Sequence, residues 1–162
     1  MVNNQGQTRL ARFYDEMPFE KQQETIKSCF TAVSKRPDSL CNFLEGNTIW
    51  GSDVRLIYRH YATLYFIFAV DESESELGIL DLIQVFVESL DKCFSNVCEL
   101  DLIFHIDKVN HILDEVVMAG MVLETSWKEI LSTVTSISAY QQATKSLIQS
   151  KTNISVKGPA KK

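Results

Sequence analysis

The segment from Leu56 to Val70 constrains the fold of this chain more strongly than any other part of the sequence. β-branched, aromatic and aliphatic residues fill almost every position of it, and this composition is typical of β-strands. We expect two strands joined at residues 61–63, the second of them apolar throughout, as in a strand covered on both faces. The first strand alternates, with Leu56, Tyr58 and His60 on one face and Ile57, Arg59 and Tyr61 on the other.

Helical patterns flank this pair of strands. Pro18 favours the start of a helix, and Lys35–Pro37 favours its end. Ser73 and Glu76 have the spacing of a capping box ahead of a helix over residues 77–94, whose apolar residues face two sides and so require burial on both. The remaining predicted elements are helices over 107–118 and 126–137 and short strands over 8–14 and 39–44. Strands followed by helices predict an α+β domain with a mainly antiparallel sheet.

Composition excludes several classes of protein. The chain has 162 residues, 45% of them hydrophobic, which suits one domain with a sizeable core. A formal charge of −5 and scattered cations argue against nucleic-acid binding, which needs a basic stripe. No apolar run approaches the ~20 residues of a membrane span. The four cysteines form no Cys-x-x-Cys pair, so we expect reduced thiols in a cytosolic protein rather than a zinc site.

No catalytic or cofactor-binding arrangement is recognisable in the sequence. The six glycines have no phosphate-binding spacing. His105 and His111 are not one helical turn apart, as metal ligands stacked on one helix face would be. Cys98, Glu99 and His105 would make a nucleophile cluster only with an oriented base, and no glycine-rich turn accompanies them. We therefore expect a protein that is not an enzyme and that carries neither metal nor cofactor.

The strand pair also carries a resemblance to a known family. The pattern resembles the signature of the small (sigma) subunits of the clathrin-type adaptor protein complexes. It consists of Leu56–Arg59, four further residues and then Leu64–Phe66. Further blocks similar to the family occur in the family's order between Asn3 and Glu124, namely Gly6–Tyr14, Asn42–Glu45, Asn96–Phe104 and Leu113–Gly120. Three segments are most similar to the sigma subunit of the third adaptor complex: Gly51–Asp53, Glu74–Val85 and Leu90–Phe94.

The resemblance implies a longin-like (profilin-like) domain, in which a mainly antiparallel five-stranded sheet lies between helices. In the family a hydrophobic strand precedes the turn at Asn3–Gly6. Here only Met1 and Val2 precede it, and we expect a truncated first strand. We assign residues 1–140 to the domain. Residues 141–162 are rich in Ser, Thr, Gln and Lys, and we expect a largely disordered polar tail there.

The resemblance also implies partners and a role. A sigma chain docks on a large adaptin, here of the delta type, in a heterotetramer with a second large chain and a medium chain. Such a complex sorts membrane cargo from Golgi or endosomes to lysosomes, vacuoles or related organelles. The chain would be cytoplasmic and peripheral on Golgi, endosomal and vesicle membranes through its partners. The alternative is a free-standing longin-type regulatory domain of the vesicle fusion machinery, a class that adds a heptad coiled coil and a membrane anchor.

A binding site for acidic dileucine sorting signals also follows from the resemblance, residue by residue. In such a signal, Asp or Glu is followed three residues later by two bulky aliphatic residues. The matching positions are Ala62, Leu64, Val87, Val97 and Leu102 for the hydrophobic pockets, with Arg9 and Asn96 for the acidic end of the signal. For Leu64, Val87 and Val97 an ordinary place in the core is an equally good interpretation.

Overall fold

A computed structural model describes residues 1–37, 40–46 and 50–155, with side chains to Gln149. Six strands and five helices are assigned in this part of the chain. In order they are β1 (Val2–Asn3), α1 (Phe19–Ser34), β2 (Phe43–Leu44), β3 (Val54–Tyr61), β4 (Leu64–Asp71), α2 (Glu76–Phe94), α3 (Glu99–Phe104), α4 (Ile106–Val116), β5 (Val117–Met118), β6 (Met121–Val122) and α5 (Trp127–Ser155).

The main sheet is antiparallel, with strand order β1-β4-β3-β2. β3 and β4 pair along their full length, from Val54 opposite Asp71 to Tyr61 opposite Leu64. This confirms the strand pair predicted from the sequence. The sheet has four strands in the described residues rather than five, and β5 and β6 form a separate hairpin. β1 is only two residues long, and Ser39 of the predicted 39–44 strand lies outside the described residues.

The predicted strand over residues 8–14 is wrong. Thr8 forms a single bridge with Val2, and the segment beyond it has no strand partner in the described part of the chain. The reason is local, because the amides of Arg9 and Leu10 both bond to the carbonyl of Met1, at 2.9 and 3.3 Å. The chain therefore folds back on its own N-terminal residues instead of adding a strand to the sheet.

Helices cover both faces of the sheet. On one face Phe66 of β4 meets Phe86 of α2 edge to face, with ring centroids 6.1 Å apart, and Tyr61 donates a hydrogen bond to Gln84 at 2.5 Å. On the other face Tyr65 meets Phe30 of α1 at 6.0 Å. Tyr65 and Phe66 are neighbours in β4, so their side chains point to opposite faces of the sheet.

α2 is buried on two sides, as its pattern predicted. It packs against β3 and β4 on one side and against α4 and α5 on the other. The predicted capping box is wrong, because the helix begins at Glu76 and its N-cap is Ser75, whose hydroxyl accepts from the amide of Gly78 at 3.2 Å. Ser73 instead bonds to the carboxylate of Asp71.

The C-terminal elements differ from the prediction in length. The helix predicted over 107–118 ends at Val116, because the chain turns into the β5–β6 hairpin through Ala119 and Gly120, both with positive φ. α5 continues through Ser155, so residues 141–155 are helical where the sequence predicted a largely disordered tail. Extending an existing helix is far easier than starting one, and Gln, Ala, Lys and Leu are good helix formers. The domain boundary at residue 140 stays a prediction.

Candidate functional site

Arg9 lies in the loop that follows β1, and two acceptors hold its side chain. Its Nε donates to Glu99 Oε1 at 2.7 Å, and its Nη2 donates to Gln7 Oε1 at 2.7 Å. The side chains of Arg9 and Glu99 are 21% and 25% exposed, so the ion pair lies at the surface but is partly shielded from water. A guanidinium that donates hydrogen bonds from two of its nitrogens is oriented as well as charged.

Glu99 is the first residue of α3 and joins three segments of the chain. Its Oε1 accepts from Arg9 and from Asn3 Nδ2 at 3.0 Å, and its Oε2 accepts from the hydroxyl of Thr63 at 3.3 Å. The hydrogen bond from Arg9, followed by that from Asn3, lowers the pKa of the Glu99 carboxyl. We call Asn3, Gln7, Arg9, Thr63 and Glu99 the Arg9 cluster.

Asn3 fixes the loop that carries Arg9. Its side chain is buried, and its Oδ1 accepts from the amides of Gln5 and Gln7 at 3.0 and 2.9 Å. In the sheet Asn3 pairs with Leu64, which anchors the loop to the end of β4. Arg9 is therefore positioned by the main chain as well as by its ion pair.

The five residues predicted for the hydrophobic pockets differ in burial. Leu64 and Leu102 are core residues, 8% and 1% exposed. Val87 and Val97 are half-buried and pack against the same core. Ala62 is exposed in the β3–β4 turn, where it adopts a positive φ of 51°. The fold thus brings four of the five to one core, and Leu64 directly follows Thr63 of the Arg9 cluster.

Asn96, the second residue predicted for the acidic end, is exposed between α2 and α3 with a φ of 76°. The next residue, Val97, is tied back to α2 because its amide donates to Asp91 Oδ1 at 3.2 Å. Glu99 follows shortly after, so Asn96 lies on the segment that leads into the Arg9 cluster. No hydrogen bond between Asn96 and Arg9 is present in the described part of the structure.

Two clefts of the molecule lie away from the predicted site. One, of about 220 Å³, is lined mainly by apolar residues of α2 and by Val122 of β6. The other, of about 210 Å³, lies between α1 and the sheet, beside Tyr58 and Tyr65. None of the seven predicted site residues lines either cleft.

The residues considered for catalysis do not come together. Cys98 is the N-cap of α3 and His105 is its C-cap, so the helix separates them by its six residues at ~1.5 Å each. His105 Nδ1 lies 3.2 Å from the carbonyl oxygen of Asp101. Among residues 1–37, 40–46 and 50–155, no group of three or more His, Cys, Asp or Glu side chains is arranged to hold a metal ion.

No helix in the described ranges combines the length and the apolar character needed to cross a bilayer.

Sequence reasoning missed the residues that complete the Arg9 cluster. Asn3 is the last residue of β1 and Thr63 lies in the β3–β4 turn. Both are short polar residues, and nothing in their own neighbourhood in the sequence indicates that they contact α3. The available signal was Glu99, a carboxylate three positions after Asn96 in a block that resembles the family.

Comparison with known proteins agrees with the family resemblance. The family model described as "Clathrin adaptor complex small chain" matches residues 1–141. The AP-3 complex subunit sigma-2 of Homo sapiens is 66% identical over 135 residues, which are 83% of this chain and 70% of that protein. The AP-3 complex subunit sigma of Arabidopsis thaliana is 54% identical over 147 residues, which are 91% of this chain and 89% of that protein.

The fold is also similar to that of a known chain. A chain of the structure named "Homology model of the full-length AP-3 complex in a stretched open conformation" is 40% identical, with a TM-score of 0.67, and the match covers 90% of this chain and 94% of that chain. The similarity to sigma subunits of the third adaptor complex and the longin-like α+β fold, both expected from the sequence, are thereby confirmed. This chain belongs to the clathrin adaptor complex small chain family.

Proposed function

We propose that this chain is the small subunit of a heterotetrameric adaptor complex of the third type, with a delta-type large adaptin, a second large chain and a medium chain. It sorts membrane cargo from Golgi or endosomes to lysosomes, vacuoles or related organelles. It is peripheral on vesicle membranes through its partners and has no catalytic activity. The observation that carries this proposal is the 54–66% identity to AP-3 sigma subunits of a plant and a mammal.

Complex formation is tested by co-purification. The tagged chain, expressed together with a delta-type large adaptin, should recover that adaptin in equal amount. The pair should withstand high salt, because salt weakens contacts between surface charges and not the burial of the apolar side chains that this chain exposes. A monomeric chain that binds a vesicle fusion protein instead would support the longin-type alternative.

Within the complex, we propose that the chain binds acidic dileucine signals beside the large adaptin. The half-buried Val87 and Val97 would admit the two leucines, with Leu64 and Leu102 beneath them and Ala62 at the rim. The Arg9 cluster adjoins Leu64, so Arg9 and Asn96 would meet the acidic residue of the signal.

The energetics divide affinity and specificity between these two parts. Burial of each leucine contributes ~1.5–3 kcal/mol, whereas an exposed ion pair contributes only ~0–1 kcal/mol. The apolar residues should therefore supply most of the affinity, and Arg9 should set the preference for an acidic residue. Ordering a flexible cargo tail offsets part of this gain, so we expect dissociation constants in the micromolar range or weaker.

Peptide binding to the reconstituted pair of large adaptin and sigma chain tests the apolar part. Val87→Asp places a charge among the pocket residues and should abolish binding while the pair remains assembled. Val85→Asp is the matched control, since Val85 is also half-buried on α2 but lines the cleft beside Val122, away from the predicted site. Equal loss with both variants would remove Val87 from the site.

Arg9 is tested with two peptides that differ only in Glu or Gln at the acidic position. Arg9→Ser should weaken binding of the Glu peptide more than that of the Gln peptide. Arg12→Ser is the matched control, because Arg12 pairs with Asp114 at 3.2 Å outside the Arg9 cluster. Equal weakening of both peptides by Arg9→Ser would remove Arg9 from the acidic end.

A further inference from the structure

The acidic end of the proposed site already contains a carboxylate of this chain. The Glu99 carboxylate accepts a hydrogen bond from Nε of Arg9 at 2.7 Å, and the two side chains form an ion pair. Arg9 and Glu99 together carry no net charge. An acidic residue of a cargo signal would therefore approach a neutral pair rather than a free cation.

Glu99 cannot leave Arg9 without losing other bonds. Asn3 donates to the same oxygen at 3.0 Å, and Thr63 donates to the second oxygen at 3.3 Å. Asn3 is itself buried and bonded to the loop, so its position is set independently of Glu99. The carboxylate thus stays beside Arg9 when a signal arrives.

The hydrogen bonds of Arg9 use its Nε and one hydrogen of Nη2. A second carboxylate would bind at the remaining terminal hydrogens, on the far edge of the guanidinium. It would gain the attraction of Arg9 but would also be repelled by Glu99 nearby, and like charges that share a site disfavour each other's ionised form.

We propose that Glu99 is a specificity-determining residue, which occupies the acidic end of the signal site from within the chain and limits how much an acidic residue in the signal adds to binding. This inference rests on the proposed function, because it assumes that the signal binds beside Arg9. It gives a reason for a cation in this site to be paired internally: the site accepts acidic signals without strongly rejecting signals that lack the charge.

Glu99→Gln separates charge from geometry. The Gln oxygen still accepts from Arg9 and Asn3, and its amide nitrogen can donate to Thr63, so the cluster keeps its shape while Arg9 loses its internal counter-charge. Binding of the Glu and Gln peptides is measured on the reconstituted pair of large adaptin and sigma chain. The variant should bind the Glu peptide about two- to fivefold more tightly than the wild type does, since an exposed ion pair has that worth, and should leave the Gln peptide unchanged.

Three further measurements make the result specific. The gain should shrink at high salt, because salt screens surface charges. The gain in binding should vanish when Glu99→Gln is combined with Arg9→Ser, because there is then no cation that the loss of Glu99 could free from its ion pair. Glu20→Gln is the charge control: Glu20 is an exposed residue of α1, and its replacement removes one negative charge away from the site. This variant should change the binding of neither peptide.

The outcomes distinguish this inference from the proposed function. If the Glu99→Gln variant bound the Glu peptide more weakly than the wild type does, the inference would be overturned, because Glu99 would then only position Arg9 for the signal. An equal change for both peptides would also overturn it, since Glu99 would then act through the fold. Failure of the wild-type pair to bind either peptide would instead refute the proposed site, and the inference with it.

Discussion

Glu99 contacts three side chains, which come from two segments that lie far from it in the sequence. Its hydrogen bonds with Arg9 and Asn3 favour the ionised carboxylate in the folded chain and lower its pKa below the ordinary value of 4.5. A group whose folded pKa is lowered stabilises the fold above its unfolded pKa, and this contribution disappears as the pH falls through the folded value.

The lowered pKa of Glu99 predicts how the stability of the protein changes at acidic pH. The melting temperature of the assembled pair is compared for wild type and Glu99→Gln from neutral pH down to about pH 4 and below. The wild type should be more stable at neutral pH, and the difference should decrease as acid protonates Glu99, because Gln carries no titrating group. A constant difference across the range would mean that the ion pair adds nothing to folding.

At the scale of elements, the β3–β4 hairpin positions Thr63 and Leu64 through a strained turn. Ala62 has a φ of 51°, in the left-handed region, which costs an L-residue ~1–2 kcal/mol. Ala62→Gly should leave the free energy of unfolding unchanged or raise it by up to ~1 kcal/mol, and Ala62→Val should lower it by ~1–2 kcal/mol.

Chemical unfolding of the complex measures both variants. Ala69→Val is the matched control, since Ala69 is an exposed residue of β4 where a β-branched side chain is favourable. If valine were tolerated at both positions, the turn would have to adopt a different conformation from the one described.

α5 beyond residue 140 makes a separate prediction. The side chains of residues 141–149 are all exposed, and Gln141 lies 3.2 Å from His111 near the start of this extension. Removal of residues 141–162 should leave assembly with the large adaptin intact and reduce the helical circular dichroism signal. Loss of assembly would mean that the extension contacts a partner and that the domain continues past residue 140.

The elements that the sequence predicted correctly are those with a strong internal pattern. In α4 the four apolar residues that recur at helical spacing, Val109, Ile112, Leu113 and Val116, are all buried. α3 was missed because six residues are too few to establish a helical period. The β5–β6 hairpin was missed because Ala119 and Gly120 interrupt an apolar run whose composition suits a helix.

The candidate site was predictable only through the family resemblance. The half-buried Val87 and Val97 and the buried Leu64 and Leu102 have the same residue types as core positions elsewhere, so periodicity alone does not separate them. Contacts such as that of Asn3 with Glu99 join residues 96 positions apart, and they depend on the tertiary structure.

At the scale of the whole molecule, the surface retains a large apolar area. Three large side chains of α3 are exposed, Leu100 at 59%, Ile103 at 42% and Phe104 at 75%. The β5–β6 hairpin and the residue after it expose Met118, Met121, Val122 and Leu123. β4 pairs with β1 only at Leu64 and Tyr65, so most of its outer edge has no strand neighbour in the described part of the chain. Exposed apolar area and open strand edges both promote association.

We therefore expect the chain to require its partner. Expressed without a large adaptin, it should aggregate or be degraded, and co-expression with a large adaptin should rescue it, since obligate interfaces resemble a divided core and bury more than ~2,000 Å².

The double variant Ile103→Lys/Phe104→Lys should aggregate less when expressed alone and assemble less well, because it places charge on the apolar face of α3. Phe19→Lys, at an aromatic residue that is 72% exposed on α1, serves as the control and should still assemble. Size-exclusion chromatography measures each case, and a monodisperse wild-type monomer with a sharp unfolding transition would contradict the requirement for a partner.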